Sequence, residues 1–544
     1  MNRSSTSDAD SRPSAAHDDA YSAADDADLA ARAEVAIAFL EAVRERRVLL
    51  AALSDDQRAR LLRAAGEVAR PDPWAKRELV RAAAKRRREA QRAADELALA
   101  QTGIRKKRQE EVFLTPALIT APVEKGVDID RVLAAEEEPR EAAASVREER
   151  ACYVCKRRYR TLHFFYDSMC GSCGDLNWQK RSQTADLSGR VALITGARVK
   201  IGYQASIMLL RAGARVIVTT RFPHDAAARY AREPDFESFR ARLSVYGLDL
   251  RHTPSVEQLA KHLDAHLDRL DFILNNACQT VRRPSAFYEH LLDGEQTALA
   301  SLPSGARSLL EGYDTIRQQR APVGRGDEIA ARMPRDVGAQ AVGLLAPASL
   351  SQLALLPEDA HAASGLFPQG QLDADLQQID LRKRNSWRLS LAEVSAVELL
   401  EVQLVNAVAP FILNARLKGL MMRSPERDKH IVNVSAMEGQ FYRSFKTDKH
   451  PHTNMAKAAL NMMTRTSAAD YVRDGIHMNS VDTGWVTDED VAEIAARKTR
   501  DQGFHPPLDI VDGAARIVDP IFVGFNTQKH VFGAFLKDYA PTDW

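Results

Sequence analysis

Val191-Ala192-Leu193-Ile194-Thr195-Gly196-Ala197-Arg198-Val199-Lys200-Ile201-Gly202 is the stretch that decides the fold. Its first four residues are apolar and partly β-branched, the composition of a strand buried on both faces of a parallel sheet. Two glycines bracket the turn that follows. Beyond it, Ala205, Met208, Leu209 and Ala212 share one face of a predicted helix. Gly213 can end that helix, and residues 215–219 read as a second strand. In such a strand–turn–helix–strand unit, the helix N-terminus offers backbone N–H groups and a positive dipole end to a pyrophosphate. A glycine turn alone is weak evidence; this one has the right flanks.

Outward from that unit the alternation repeats. Residues 243–249 read as a strand. Ser255 with Gln258 predicts a capping box for a helix whose inner face is Val256, Leu259, Leu263 and Leu267. Residues 271–274 form a fourth strand, leading into Asn275-Asn276-Ala277-Cys278. After a long interruption, Ser395 and Glu398 cap a helix that contains Asn406. Strands over 431–434, 476–481 and 531–536, with helices over 454–472 and near 511–522, complete the series. About seven strands alternating with helices predict an α/β, doubly wound Rossmann-type parallel sheet.

The flanking regions read differently. Residues 1–27 are Ser/Ala/Asp-rich and too poor in large apolar groups to fold, so a disordered acidic tail is expected. Residues 28–150 form a helical region with basic clusters at Lys85–Arg88 and Arg105–Arg108, read as solvated faces. Its last part, 111–150, reads as a linker ending in a charged helix. No base-stacking aromatics interleave the basic clusters, which argues against nucleic acid. Overall charge is balanced, 75 Lys+Arg against 74 Asp+Glu. No signal-peptide core is visible in residues 1–10, and no apolar run is read as reaching the ~18 residues of a membrane span. A cytoplasmic location without membrane contact is therefore expected.

Cys152-x-x-Cys155 and Cys170-x-x-Cys173 are separated by fourteen residues. Two turns that each present two thiolates complete the tetrahedral shell of a structural Zn²⁺, with no position open for catalysis. A small zinc ribbon or knuckle over 151–181 is expected, leading directly into a Rossmann domain over 186–544. Two roles fit it, bracing its neighbour or binding a protein partner.

The motifs of that domain resemble the short-chain dehydrogenase/reductase family. Thr195-Gly196-x-x-x-Lys200-Ile201-Gly202 is similar to its TGxxxGxG phosphate loop, and Asn275-Asn276-Ala277 to its NNAG. Asn406 matches the family's helix asparagine, Asp249 the position beside the adenine ring, and Asn479-x-Val481-x-Thr483-Gly484 the N-x-V-x-P-G segment. His452-Thr453-Asn454-Met455-Ala456-Lys457-Ala458-Ala459-Leu460 resembles the YxxxK-A-A-L helix, in a form similar to a branch that carries a preceding cysteine module. The resemblance implies a dinucleotide held by Thr195, Gly196, Arg198, Lys200, Ile201, Gly202, Asp249, Asn275, Asn276, Ala277 and Lys457. It also implies homo-oligomers. The second strand ends without the acid that selects NAD, and Arg198, Lys200 and Arg221 supply cations for a 2′-phosphate, so NADP is expected over NAD.

Three departures qualify the expected chemistry. Lys200 stands where the loop has its second glycine, and Cys278 replaces the last residue of NNAG. Ala436 stands where the family has its serine, with Ser435 next to it but expected on the opposite strand face. Thr453 stands at the catalytic tyrosine, and an aliphatic hydroxyl is a far poorer acid than a phenol of pKa ~10. His452, His450 and Tyr442 are nearby substitutes for proton transfer. Lys457, Asn406, Thr453 and Ser435 are the candidate catalytic residues. Two readings stay open: an oxidoreductase acting on an unknown carbonyl or hydroxyl substrate through an altered acid/base site, or a pseudoenzyme that senses dinucleotide or scaffolds partners. The insertion, about residues 283–394, is expected beside the nicotinamide end as a lid or an interaction surface.

Overall fold

The computed structural model describes residues 23–117, 144–297, 299–320, 338–360, 365–368, 370–442 and 446–544. Two units are distinguished, residues 1–90 and 91–544. In the first, helix Ala23–Glu45 begins inside the stretch assigned to the tail, whose residues 1–22 lie outside the described ones. Helix Asp55–Ala69 starts at Ser54, whose side chain and that of Gln57 satisfy each other's backbone N–H groups. Lys85–Arg88 are exposed on the helix Pro73–Ala100.

The second unit is built on an eight-stranded sheet, ordered β10-β9-β8-β7-β6-β3-β4-β5. Its strands are β3 (Val191–Thr195), β4 (Arg215–Thr220), β5 (Leu243–Gly247), β6 (Phe272–Asn275), β7 (Lys429–Ser435), β8 (Ile476–Asp482), β9 (Phe535–Lys537) and β10 (Ala540–Thr542). The first seven are mutually parallel, and β10 turns back antiparallel on β9. The α/β Rossmann-type reading therefore holds, with one strand more than expected. The final strand falls at 535–537 rather than 531–536. Strand order reverses between β3 and β6, and ligands bind at the carboxyl ends beside such a switch point. One helical layer contains Lys200–Arg211 against Ile510–Thr527, another Thr253–His266 against Ala409–Met421. Every residue of β3 is buried, as its unbroken apolar composition requires.

Several local expectations are corrected. Helix Thr253–His266 starts two residues before Ser255, with Pro254 in its first turn. Ser255 Oγ bonds His252 Nδ1 at 2.8 Å instead of capping. The charged stretch Ser145–Ala151 is a strand, β1, paired antiparallel with β2 (Arg158–Thr161), not a helix. Asp95 accepts from the backbone N–H groups of Arg147 and Glu148, so tertiary partners outweigh the helical composition. Residues 118–143 of the expected linker lie outside the described ones. Arg105 is buried and pairs with Asp167 and Glu96, and Arg108 bonds the carbonyls of Pro506 and Leu508, so these two are structural cations. One helical run, Ala396–Met421, is long and apolar enough by composition to cross a membrane, contrary to expectation. Its Leu413, Leu417, Leu420 and Met421 are fully buried in the core of the sheet domain.

The insertion is part of that core. Leu309, Leu310, Tyr313 and Ile316 of helix Ser304–Arg320 join the main apolar cluster. Tyr313 packs on Gly247 of β5, where a Cβ would meet its ring, and donates to Leu344 O at 2.7 Å. Asp249 N–H donates to Gly343 O at 2.7 Å.

Candidate functional site

A cleft of about 990 Å³ runs along the carboxyl ends of the parallel strands. One end is the glycine turn. Gly196 has φ +68°, and a Cβ there would lie 2.8 Å from Ala277 Cα. A Cβ on Gly202 would meet Asn276 Nδ2 and stand 2.6 Å from Gly196 O. Asn276 Nδ2 donates to Thr195 O (3.0 Å) and Gly196 O (3.1 Å), and Ala277 N–H donates to Thr195 Oγ1 (3.0 Å). The first turn and the end of β6 are therefore locked together at glycine-only distances. Lys200 has φ +57° although it is not glycine. The backbone keeps the glycine-type conformation, which costs an L-residue about 1–2 kcal/mol.

The three cations of this end differ. Arg198 is buried and bonds Asp225 Oδ2 at 2.7 Å. Lys200 Nζ is 3.9 Å from Asp375. Arg221 stacks 4.4 Å over the Tyr288 ring, contributed by the insertion, and donates to its hydroxyl at 2.7 Å. Among the described residues, Arg221 is the one of the three without a carboxylate partner. Asp249, on the same wall, is chelated by Arg251, which outweighs burial and holds its carboxyl below the usual range.

Two asparagines of the motif set are committed elsewhere. Asn275 Nδ2 donates to Asn414 Oδ1 (2.9 Å) and Asn433 Oδ1 (2.8 Å), inside a buried polar chain that continues through Thr464 to Ser480. Asn406 lies in a π-helical turn, Leu404–Val408. Its amide clasps the backbone of Gln279 with bonds of 2.8 and 3.0 Å. It thereby sets the chain's exit from β6 rather than lining the cleft.

At the other end, Lys457 is buried and donates from Nζ to Val434 O at 2.8 Å. It belongs to helix Pro451–Tyr471, whose entry residue His450 has φ +41° and stacks on Trp387 at 3.9 Å. Burial holds the His450 imidazole below its ordinary range. His450, Asn454 and Lys457 face the cleft. Thr453 is buried, its hydroxyl has no hydrogen-bond partner, and it is not among the cleft's lining residues. A side chain this short ends inside the packed helix surface, where a phenol would reach past it. His452 Nε2 sits 3.6 Å from the buried Glu398, away from the cleft. Tyr442 is exposed, and residues 443–445 of its YxxxK pattern lie outside the described ones.

Ser435, the last residue of β7, lines the cleft together with Ala436, and its buried Oγ has no hydrogen-bond partner. Its register partner on β8 is Asp482, which also lines the cleft. Burial pushes the Asp482 carboxyl up to about 6 against the pull of Lys537, with Glu438 and Asp538 pushing the same way. Sequence reasoning passed over Asp482. Its signal was an acid at a variable position of the Asn479–Gly484 segment, next to the carboxyl edge of a strand.

The four cysteine sulfurs all lie within 4.8 Å of one another, with Cys155 and Cys170 at 3.7 Å. Tetrahedral thiolates at ~2.3 Å from a common ion stand about 3.8 Å apart, so Cys152, Cys155, Cys170 and Cys173 fit a metal ion. The module shares a core with the sheet domain: Phe165, Tyr166 and Met169 pack with Val486, Leu508, Ile510 and Val511. Arg181 forks onto Asp509 at 2.6 and 2.7 Å. The first cysteine turn also reaches the cleft, where Tyr153 Oη accepts from Trp485 N–H at 3.0 Å. Burial raises that phenol above its usual range.

Residues 190–293 match the family model described as short chain dehydrogenase, and residues 370–506 the one described as Enoyl-(Acyl carrier protein) reductase. The middle of the insertion falls between the two. Uncharacterized protein R665 of Acanthamoeba polyphaga mimivirus is 31% identical over 389 residues, 69% of this chain and 71% of that protein. Fatty acyl-CoA reductase of Acinetobacter baylyi is 32% identical over 98 residues, 18% of this chain and 32% of that protein. Among solved structures, the Pseudomonas aeruginosa RhlG/NADP active-site complex is 17% identical with a TM-score of 0.38, covering 64% of this chain and 95% of its own. NADPH-bound carbonyl reductase from chicken fatty liver is 15% identical with a TM-score of 0.38, covering 66% and 100%. Fold and motif order define a Rossmann-type α/β protein. The chain belongs to the short-chain dehydrogenase/reductase family.

Proposed function

We propose that the protein is an NADP(H)-dependent oxidoreductase acting on a carbonyl or hydroxyl group, with a structural zinc ion on its four cysteines. One observation carries the reading. The cleft is continuous from the glycine turn and Arg221 to Lys457, Ser435 and Asp482. A dinucleotide held at the first end therefore places its reactive ring near ionisable and hydroxyl groups at the second. The N–H groups opening helix Lys200–Arg211 would hold the pyrophosphate, with Gly196 leaving room for it to approach the turn. Arg221, stacked on Tyr288 and without a carboxylate ion pair among the described residues, would take the 2′-phosphate, a geometry that suits a guanidinium better than an ammonium. Lys457, fixed at Val434 O, would hold the nicotinamide ribose. When bound, the reduced dinucleotide supplies hydride. The chain's own residues position the acceptor and move the proton.

The pseudoenzyme reading is favoured by one observation, the Thr453 hydroxyl packed off the cleft. Calorimetric titration of the metal-loaded protein tests the dinucleotide half of the reading, and NADPH consumption with a carbonyl substrate separates it from the pseudoenzyme. NADPH is expected to bind at least tenfold tighter than NADH, and Arg221→Ala to erase that preference. Equal affinities in the unmodified protein remove the Arg221 argument. Absence of binding by either cofactor removes the oxidoreductase reading.

A further inference from the structure

We infer that Asp482 and Ser435, neighbours across β8 and β7, form the proton-transfer site that this chain uses in place of the family's tyrosine and serine. The inference rests on the oxidoreductase reading above. Three geometric facts carry it.

Ser435 and Asp482 are register partners in a parallel pair, where side chains of paired residues point to the same side of the sheet. Both line the cleft, whereas Thr453 does not. The two groups are therefore presented side by side at the carboxyl edge, one residue beyond the Val434 carbonyl that anchors Lys457. The strand end itself lets Ser435 and Ala436 both reach the cleft, which an ideal pleat forbids.

Second, Ser435 lines the cleft, and its buried Oγ has no hydrogen-bond partner among the described residues. Buried hydroxyls are almost always paired, so this one is left to donate to a ligand oxygen once its χ1 turns it toward the cleft.

Third, Asp482 is buried but not ion-paired among the described residues. Lys537, the cation that pulls on it, is engaged with Asp538 at 2.8 Å. The groups facing Asp482 are Tyr153 from the first cysteine turn, Glu438 beyond β7, Lys537 and Asp538 at the end of β9, and the Gly484 N–H. Burial and two carboxylates, Glu438 and Asp538, outweigh one committed ammonium and the Gly484 N–H. The carboxyl therefore stays protonated to a pH well above that of a free aspartate, which is what a general acid near neutrality requires.

In the reducing direction, a substrate carbonyl oxygen accepts a hydrogen bond from Ser435 Oγ. A bound reduced nicotinamide dinucleotide would supply the hydride to the carbonyl carbon. As the C=O π bond breaks, its electron pair takes the proton from Asp482 Oδ, leaving an alcohol, oxidised dinucleotide and a carboxylate. Water in the open cleft returns the proton to Asp482. Alcohol oxidation runs the same transfers in reverse, with the Asp482 carboxylate as base.

The test uses full-length, metal-loaded protein with NADPH and two carbonyl probes, benzaldehyde and 9,10-phenanthrenequinone. Asp482→Asn is expected to bind NADPH within about twofold of the parent and to lose at least ~100-fold in probe reduction. Ser435→Ala is expected to lose about tenfold, and Thr453→Ala less than twofold. The parent's kcat/KM should fall as pH rises through about 6, and Asp482→Glu should restore a pH-dependent rate that Asp482→Asn lacks. Infrared difference spectra between about pH 5 and about pH 8 supply a readout independent of turnover. A protonated-carboxyl band titrating near pH 6 in the parent must vanish in Asp482→Asn. Retention of the rate within threefold in Asp482→Asn overturns the proposal, as does a Thr453→Ala loss as large as that of Asp482→Asn. A parent that binds NADPH yet reduces neither probe also overturns it while leaving dinucleotide binding intact. A parent that binds no NADPH fails at the underlying reading instead.

Discussion

The two ends of the cleft depart from the family pattern in opposite ways. At the glycine turn, a residue has changed and the geometry has not: Lys200 adopts the left-handed conformation that glycine would take. At the proton-transfer end, residue and geometry have changed together: Thr453 is withdrawn into the helix packing, and the cleft is faced by His450, Asn454, Ser435 and Asp482. The difference has a physical source. The turn is held by close contacts, Gly196 against the Ala277 backbone and Gly202 against the Gly196 carbonyl and the Asn276 side-chain amide, which no side-chain substitution at position 200 relaxes. The catalytic geometry depends on one side chain's reach, and nothing in the backbone preserves it.

The largest effect should come from stripping the metal ion proposed for the four cysteines. The cysteine module shares its core with Ile201 and Met208 of the phosphate-turn helix and sends Tyr153 to the opposite end. Chelation should therefore damage both ends, with several kcal/mol of stability lost on the scale of structural zinc sites. Thermal melting and NADPH titration of the stripped protein check this. Loss at the Tyr153 end alone would break the symmetry assumed here.

Gly202→Ala should come next, weakening NADPH binding by at least ~100-fold and costing up to about 3 kcal/mol, because the new methyl meets Asn276 and the Gly196 carbonyl. Denaturant melts and NADPH titration measure both quantities. An unchanged affinity would mean that the turn is softer than its contacts imply.

Asp482→Asn probes the other end through stability. The folded carboxyl sits at about 6, above an unfolded value near ~3.9, so the folded state binds more protons between these pH values. Asp482 should therefore contribute a loss of stability as pH rises from about 4 through about 6, roughly 2–3 kcal/mol, with none from this group above about 7. In chemical melts across that range, the difference between parent and Asp482→Asn should show this contribution. Parallel pH profiles of the two proteins would show that the Asp482 carboxyl is not raised.

The smallest effect is Lys200→Gly. Relief of the left-handed lysine should stabilise by about 1 kcal/mol, reduced by the greater freedom of glycine in the unfolded chain. Equilibrium melts check it. Destabilisation would show that the Asp375 contact outweighs the strain.

The sheet domain was legible because its signals are local. An unbroken apolar strand, a glycine turn and repeated amphipathic helices specify an α/β fold wherever they occur, and β3 through β8 appear where periodicity places them. Four cysteines in two CxxC turns likewise specify one cluster, since each turn already brings two sulfurs together. The charged strand β1 was not legible, because its pairing with β2 and its bonds to Asp95 are tertiary. Neither was the fate of Asn275 and Asn406, which share motifs with cleft residues but spend their amides on the core and on Gln279.

By itself, then, the amino-acid sequence determined the fold class, the order of the family motifs, the cysteine cluster and the absence of a tyrosine at position 453. Those properties follow from residue type and spacing along the chain. Only the tertiary structure decided which polar groups reach the cleft: that Arg198 is spent on Asp225 while Arg221 stacks on Tyr288, that Tyr153 of the cysteine turn reaches it, and that Ser435 stands beside Asp482. Strand register and burial set those outcomes, and both depend on residues far apart in the chain.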